Sequence, residues 1–214
     1  CMLEKTTLKA TGAKVYSWDN GAKGNEIEVS PLVTTTYTVT VTNDNGCFAI
    51  DYSKVTVNSL PLANAGDDVE TCKGGEVILS AGPSNMKQYS WYSDKDSISV
   101  GDKPLISVRP TQTATYYLTV TDNNNCSASD AVIVNVLELP VADYKYDTVW
   151  INSPTPFMDK STSPNGIIIS WYWDFRESSS STSIAQNPYW KYSSPGITKD
   201  VMLVVKDSKG CIDT

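Results

Sequence analysis

TTTYTVTVTNDNGC at residues 34–47 and TATYYLTVTDNNNC at residues 113–126 are two copies of one pattern, 79 positions apart. In each copy, apolar and polar residues alternate and then give way to Asn, Asp and Gly. Alternation with a period of two is typical of a half-buried β-strand, and the polar cluster is typical of a hairpin turn. An internal repeat of this kind predicts a chain of similar small domains.

The similarity between the two copies extends in both directions. A second strand is predicted after each turn, and each copy then ends in Leu-Pro, at residues 60–61 and 139–140. On the N-terminal side, Cys1 and Cys72 occupy matching places before a series of apolar positions. The second copy also contains an insertion at residues 92–105, whose polar character predicts a loop.

Residues 140–214 form a third and more distant unit. They contain ISWYWDF at 169–175 and VMLVVKDSKGC at 201–211, which are again apolar runs that lead into polar segments. Strands spaced by about 8–12 residues predict β-sandwiches, and the absence of a long 3.6-residue apolar period predicts almost no helix. We therefore expect one domain over 1–60, a second over 61–139 and a third over 140–214.

The composition argues against several classes of function. With no histidine, the chain lacks the usual general base and the commonest zinc ligand, so we expect no enzyme and no cofactor or metal site. Loop aspartates such as Asp122 and Asp207 offer oxygen atoms to calcium, but turn formation explains them better.

The net charge of −7 disfavours nucleic acid as a partner, because an acidic surface repels phosphates. No apolar run reaches the roughly 18 residues of a membrane-spanning helix, so we expect no membrane insertion.

These motifs resemble two known groups of surface domains. The third unit resembles the PKD domain in WDF at 173–175, Asn187-Pro188 and VKDSKGC at 205–211, but it has Arg-Glu-Ser at 176–178 where that family usually reads Gly-Asp-Gly. The first two units resemble Ig-like repeats of large surface proteins in the Bacteroidota, including gliding-motility adhesins exported by the type IX secretion system. The resemblance implies an all-β fold of tandem immunoglobulin-like (PKD-like) β-sandwich domains.

The ends of the chain differ from those of a complete repeat. In the second unit PLANAGDDVE at 61–70 precedes Cys72, whereas no residue precedes Cys1 in the first unit, which we therefore expect to lack its first strand. The third unit ends at Thr214, before an expected last strand. We interpret the chain as a fragment of a longer protein, and the alternative interpretation of Cys1 is the lipidated first residue of a lipoprotein.

The resemblance implies a non-catalytic stalk or spacer in a secreted cell-surface adhesin, located outside the cell. Its implied partners are neighbouring domains of the same long chain, together with the secretion or motility machinery and surface glycans. The alternative functions are a glycan- or protein-binding module and an accessory module of a secreted polysaccharide hydrolase. A glycan array and the flanking sequence would separate these functions.

The tryptophans divide into two groups with different expected roles. Trp18, Trp91 and Trp173 fall at equivalent places in the three units, so we expect them to fill the cores between sheets. Trp171 and Trp190 occur only in the third unit, where they are possible glycan contacts. Packing beneath the loops of that unit is the other interpretation of these two side chains.

Two pairing schemes for the five cysteines follow from the repeat, and an exported protein is expected to form disulfides. Pairing inside each domain would join Cys1 to Cys47 and Cys72 to Cys126. In the implied topology, however, those turns lie at opposite ends of a sandwich, roughly 26 Å apart at about 3.3 Å per residue, beyond the reach of a disulfide. A head-to-tail array would instead join Cys1 to Cys126 and Cys72 to Cys211, with Cys47 left free or paired to an upstream domain.

Overall fold

The computed structural model describes residues 1–95, 99–150, 153–193 and 200–214, so residues 96–98 of the predicted loop lie outside the description. Within these residues the secondary structure consists of β-strands, with no helix. The strands are β1 (Thr6–Lys9), β2 (Val15–Trp18), β3 (Glu26–Val29), β4 (Thr35–Thr42), β5 (Phe48–Val55), β6 (Val69–Cys72), β7 (Val77–Ser80), β8 (Gln88–Ser93), β9 (Ser99–Gly101), β10 (Leu105–Val108), β11 (Ala114–Thr121), β12 (Ser127–Leu137), β13 (Tyr144–Tyr146), β14 (Thr155–Asp159), β15 (Ile168–Asp174), β16 (Thr182–Ser183), β17 (Tyr189–Trp190), β18 (Met202–Asp207) and β19 (Ile212–Asp213). Because no described residue is helical, none belongs to an apolar helix that could cross a membrane.

The first 60 residues form two sheets around one core. One sheet has the order β2-β4-β5 and the other pairs β1 with β3. Alternation along β4 places Tyr37 and Val39 in the core, where they meet Trp18 of β2 and Ile27 of β3. The repeat motif that predicted a half-buried strand therefore supplies the buried face of this sandwich, as a period of two requires.

The central part of the chain is built in the same way, with two additional pairings. Its main sheet has the order β6-β12-β11-β8-β9, and β7 pairs with β10 in a second sheet. Strand β6 runs parallel to β12, with Val69 opposite Val134. The predicted loop at 92–105 is partly wrong, because residues 99–101 form β9 beside β8. Because β9 lies at the edge of its sheet, its residues lack the apolar alternation from which the other strands were predicted.

The last part of the chain has a core dominated by aromatic rings. Its sheets have the orders β13-β14-β17 and β16-β15-β18-β19. Trp173 and Phe175 are fully buried and stacked with ring centroids 6.3 Å apart, and Phe157 packs against both of them. Leu203 and Val205 of β18 close the same core.

The first two sandwiches share an equivalent hydrogen bond near the end of their last strand, as the sequence repeat predicts. The Val57 N–H donates to the Thr34 hydroxyl at 3.0 Å, and 79 residues later the Val136 N–H donates to the Thr113 hydroxyl at 3.0 Å. Such a bond satisfies a backbone group as the last strand ends. The equivalence between the two copies therefore extends from sequence to individual contacts.

Tight packing divides the chain into two compact units. One consists of residues 1–66, 80–106 and 117–131, and the other of residues 67–79, 107–116 and 132–214. Each of these units contains both cysteines of one disulfide.

Candidate functional site: the disulfide-linked turns

Three hairpin turns carry a cysteine, and all three have the same local structure. They are Asn43–Cys47, Asp122–Cys126 and Asp207–Cys211. In each, the side-chain oxygen of the first residue accepts the backbone N–H groups two and four residues later, at 2.8–3.0 Å. The N–H of the first residue in turn donates to the cysteine carbonyl. The turn thereby fixes the position of each cysteine, as expected of Asn and Asp in turns.

The residue before each cysteine has a positive φ. Gly46 has a φ of 77°, Asn125 of 64° and Gly210 of 92°. Only glycine and, at some cost, asparagine adopt this left-handed conformation routinely. The sequences NDNGC, DNNNC and DSKGC therefore form the same type of turn.

Two of these turns form disulfides, and both bonds join sequence segments far apart. Cys1 is bonded to Cys126 with a Cα–Cα distance of 5.4 Å, and Cys72 is bonded to Cys211 at 5.5 Å. These are the two pairs of the head-to-tail scheme; the pairs inside one repeat are not formed. Cys126 and Cys211 are buried, which shields their sulfur atoms from reductants in solution.

Polar contacts surround the Cys72–Cys211 bond. Lys209 of the turn forms an ion pair with Glu70 at 3.0 Å, and Lys73 forms one with Glu138 at 2.9 Å. All four side chains are about half exposed, and exposed pairs of this kind contribute roughly 0–1 kcal/mol each. The ion pairs therefore contribute little beside the covalent bond between Cys72 and Cys211.

The third turn carries a cysteine with no partner in the described residues. Cys47 is exposed and is a free thiol, although the turn around it matches the two bonded turns. Pairing of Cys47 with a cysteine of an upstream domain stays a prediction.

We expect labelling of native, oxidised protein with a maleimide reagent to modify one cysteine per chain. The reason is that Cys47 is exposed, whereas the other four cysteines are consumed in disulfides. Mass spectrometry after labelling gives the count directly, and all five cysteines should react after reduction in denaturant. A Cys47→Ser variant should remain unlabelled in the native state. Three or more labelled sites on native protein would contradict the disulfide assignment.

The three equivalent tryptophans are buried and share one polar contact. Trp18, Trp91 and Trp173 have 5%, 0% and 0% of their surface exposed. Each indole N–H donates to a backbone carbonyl, of Gly24, Lys103 and Ala185 respectively, at 2.9–3.1 Å. A buried indole needs such a partner, and these carbonyl contacts could not be seen in the sequence.

Trp171 and Trp190 lie against the core of the last sandwich. The Trp171 N–H donates to Asp159 at 2.8 Å, and the Trp190 N–H donates to Glu177 at 3.1 Å. The Trp190 ring is stacked on Phe175 with centroids 4.6 Å apart. Both side chains are partly buried, and the Phe175 ring covers one face of the Trp190 ring. This arrangement corresponds to packing beneath the loops; glycan contact by these residues stays a prediction.

Asp207 combines full burial with a lowered pKa. Burial alone would raise the pKa of its carboxyl group, because the charged form loses hydration. Hydrogen bonds from the Ser163 hydroxyl and from the N–H groups of Cys211 and Lys209 outweigh that effect, so the pKa lies below its ordinary value. The charged carboxylate therefore holds together the turn that carries Cys211.

We expect Asp207→Ala to lower the free energy of unfolding by about 2–4 kcal/mol, because buried donors would lose their acceptor. Asp207→Asn should cost less, since Asn43 forms the same turn with an amide oxygen. The folded-state pKa is lowered, so the contribution of Asp207 is present above the unfolded-state pKa of about 3.9 and is lost as pH falls through the folded-state value. Urea unfolding at pH 7 and pH 3 measures both effects, and an equal pH dependence in the Asn variant would contradict this role.

No three of the Asp, Glu and Cys side chains in the described residues cluster as ligands of a metal ion. Asp122 and Asp207 use their carboxylates in the turns, as the sequence indicated. One surface feature was missed: β5 exposes Phe48, Ile50 and Tyr52 on its outer face. Aligning the repeats by their 79-residue offset would have found it, because β12 has Ser, Ser and Ala there.

Comparison with known proteins adds one family and several solved structures. The model of an immunoglobulin-like domain described as CHU_C-associated matches residues 59–140. None of the curated proteins matches the chain.

Among solved structures, the three N-terminal domains of the Highly Immunogenic Outer Capsid protein of bacteriophage RB49 share 15% identity, over 95% of this chain and 86% of that one, with a TM-score of 0.41. The N-terminal eight immunoglobulin domains of Down Syndrome Cell Adhesion Molecule share 13% identity, over 81% of this chain and 29% of that one, with a TM-score of 0.40. Immunoglobulin domains 1–4 of Sidekick-1 share 11% identity, over 99% and 70% of the two chains, with a TM-score of 0.34.

The alternating strands, the paired sheets around tryptophan-centred cores and the family match over 59–140 lead to one conclusion. The chain is an all-β protein of tandem immunoglobulin-like β-sandwich domains, a fold typical of non-catalytic modules, and its disulfides are typical of proteins outside the cytosol.

Proposed function

We propose that this chain is a non-catalytic spacer segment of a large secreted cell-surface adhesin, stiffened by disulfides between neighbouring domains. The domains are those expected at 1–60, 61–139 and 140–214. The observation that carries the proposal is the position of the two disulfides. Each joins the cysteine near the start of one segment to the hairpin-turn cysteine of the next segment.

A junction of this kind has two covalent connections between consecutive domains. One is the short polypeptide linker around Leu60-Pro61 or Leu139-Pro140, and the other is the disulfide. A single linker leaves two domains free to bend, whereas a second tether restricts that motion and shares tension along the chain. Two covalent connections at each junction therefore suit a spacer that holds other domains at a distance from the cell.

The protein class is inferred from the resemblance of the repeats. The Ig-like repeats and the PKD-like third unit support a gliding-motility type of adhesin, exported by type IX secretion in a member of the Bacteroidota. The expected location is the cell surface, and the expected partners are further domains of the same chain, the export or motility machinery and surface glycans. Cys47 would then pair with a cysteine of a further domain, because its turn matches the two bonded turns.

The alternative of a glycan-binding module has less support from the geometry. Its two candidate side chains, Trp171 and Trp190, donate their indole N–H groups to acidic residues and pack against the core. An accessory role beside a polysaccharide hydrolase rests instead on the resemblance of residues 140–214 to the PKD domain.

Single-molecule extension tests the spacer proposal. If disulfides restrict the junctions between domains, the oxidised chain should reach a much shorter maximum length than the reduced chain. Equal lengths in the two states would contradict a mechanical role for the disulfides.

A further inference from the structure

Strand β5 carries a row of apolar side chains on the outer face of its sheet. Phe48, Ile50 and Tyr52, which form this apolar row, are 71%, 62% and 75% exposed. They lie opposite threonines of β4, whereas the residues between them lie opposite the core-facing residues of β4. Since opposite residues of a sheet project to the same face, the apolar row points away from the core. Exposed Val15 of β2 extends the face, because it lies opposite Thr42, and Thr42 lies opposite Phe48.

The fold does not require apolar residues at these positions. The 79-residue offset places Ser127, Ser129 and Ala131 of β12 where β5 has its apolar row. The Ser129 hydroxyl is hydrogen-bonded to Thr119 at 2.8 Å, and the Ser127 hydroxyl to Thr121 at 2.9 Å. The second repeat thus covers the same sheet face with small polar groups, which water solvates well. An exposed row of large apolar side chains is instead a surface that proteins ordinarily cover.

Neighbouring segments of the same chain leave the apolar row accessible. Strand β6 pairs with residues 134–137 of β12, and the 79-residue offset moves this pairing to residues 55–58, beyond the row. In both disulfide-linked turns the residue after the cysteine is exposed, at Ser127 and Ile212. Phe48 occupies the same place in the third turn. Neither an additional strand nor a disulfide in that turn would therefore cover the row.

The charges at the two ends of the apolar row are complementary. Lys54 is the next outward-facing residue of β5 after the row, and it is exposed. Asp44 lies in the turn before the row, where it forms an exposed ion pair with Lys14 at 2.7 Å. Lys54 and this turn are each four residues from Ile50, or about 13 Å at 3.3 Å per residue. When two such faces meet with their rows in opposite directions, Lys54 of each copy lies over the Asp44 turn of the other.

The size of the face is sufficient for a weak dimer. The apolar row and its neighbours extend roughly 20 Å along the strands and roughly 15 Å across three strands, at about 4.8 Å between strands plus the side chains. Two such faces bury on the order of 1,000 Å² in total when they meet, which is the lower limit of a specific interface. We therefore expect a dissociation constant between about 10 μM and 1 mM.

We propose that the outer face of the β2-β4-β5 sheet binds the same face of a second copy of this chain, with the two β5 strands in opposite directions. Burial of the apolar row supplies the binding energy, and two symmetric contacts between Lys54 and Asp44 at the rim set the orientation. Copies of a chain with a net charge of −7 repel one another, so a face with balanced charges favours their contact. This association goes beyond the spacer function and does not depend on it.

Sedimentation equilibrium of the full chain measures the association, with Cys47→Ser in every sample to remove disulfide formation between copies. The average mass is expected to rise with concentration towards that of a dimer. Combined replacement of Phe48→Ser, Ile50→Ser and Tyr52→Ala copies the side chains of β12, which the same fold accommodates, and should weaken the association at least tenfold. Ile78→Ser is the matched control, because Ile78 is 68% exposed on another sheet and its loss should leave the association unchanged.

Charge reversal tests the orientation of the two copies. Lys54→Glu should weaken the association about fivefold, because it places a carboxylate over Asp44. Lys54→Glu combined with Asp44→Lys should restore it, because both contacts then reverse their sign. The proposal is overturned if the chain stays monomeric up to about 1 mM, if the triple replacement leaves the dimer intact, or if the double charge variant does not recover the association.

Discussion

Pulled between its two ends, the oxidised chain is expected to stop extending at about 200 Å, whereas the reduced chain should reach about 720 Å. Force travels along the shortest covalent path, and a disulfide removes the residues that it bridges from that path. With both bonds present, the path runs from Cys1 to Cys126, back to Cys72, across to Cys211 and on to Thr214. It contains about 57 residues, against about 213 in the reduced chain, at roughly 3.4 Å each.

Single-bond variants make this expectation specific to the pairing. Cys211→Ser keeps only the Cys1–Cys126 bond and should extend to about 300 Å; Cys126→Ser keeps only the other bond and should extend to about 250 Å. Cys47→Ser is the matched control and should behave like the oxidised wild type. Optical-trap or force-microscope traces with handles at both termini give these lengths. Pairing inside each repeat would instead give an oxidised length above 300 Å, and this result would refute the scheme.

Trp173→Ala is expected to destabilise the last sandwich by about 3–5 kcal/mol, the largest effect of any single substitution considered for this chain. The side chain is fully buried between Phe157, Phe175 and Tyr144. Truncation therefore removes a large apolar surface, leaves a cavity and also leaves the Ala185 carbonyl without its indole donor. Urea unfolding followed by near-ultraviolet circular dichroism reports the loss of this aromatic packing.

Trp150→Ala provides the control with the same chemical change at an exposed site. Trp150 is 88% exposed, so its loss should change the free energy of unfolding by less than about 0.5 kcal/mol. Trp173→Phe keeps most of the apolar volume and loses the N–H group, so its effect should lie between the two. A cost below about 1 kcal/mol for Trp173→Ala would contradict a central role for this ring.

Much of the fold could be predicted from local pattern. The strands at 35–42 and 114–121 follow from alternation, and the turns after them follow from Asn, Asp and Gly. The short strand at 99–101 could not be predicted in this way, because its three residues lack a pattern and depend on pairing with β8. The buried positions of Trp18, Trp91 and Trp173 follow from their equivalent places in the three units.

The candidate site depends on both kinds of information. The positions of the cysteines in the repeat made the pairs Cys1–Cys126 and Cys72–Cys211 one of two possible schemes. Because bonded cysteines are 125 and 139 residues apart, only the packed chain decides which of them lie within reach. The burial of Asp207 beside Ser163 is likewise a contact between distant residues that turn chemistry alone does not contain.

The sequence by itself determined the all-β class, the repeat, the turns and the cysteine positions, because each of these is set by residues within a few positions of one another. Only the tertiary structure decided the disulfide partners, the packing of Trp171 and Trp190 against the core, and the exposure of the apolar side chains of β5. The physical reason is that these features arise from contacts between remote strands. A period-two pattern specifies which face of a strand is buried, but not which other strand lies beside it.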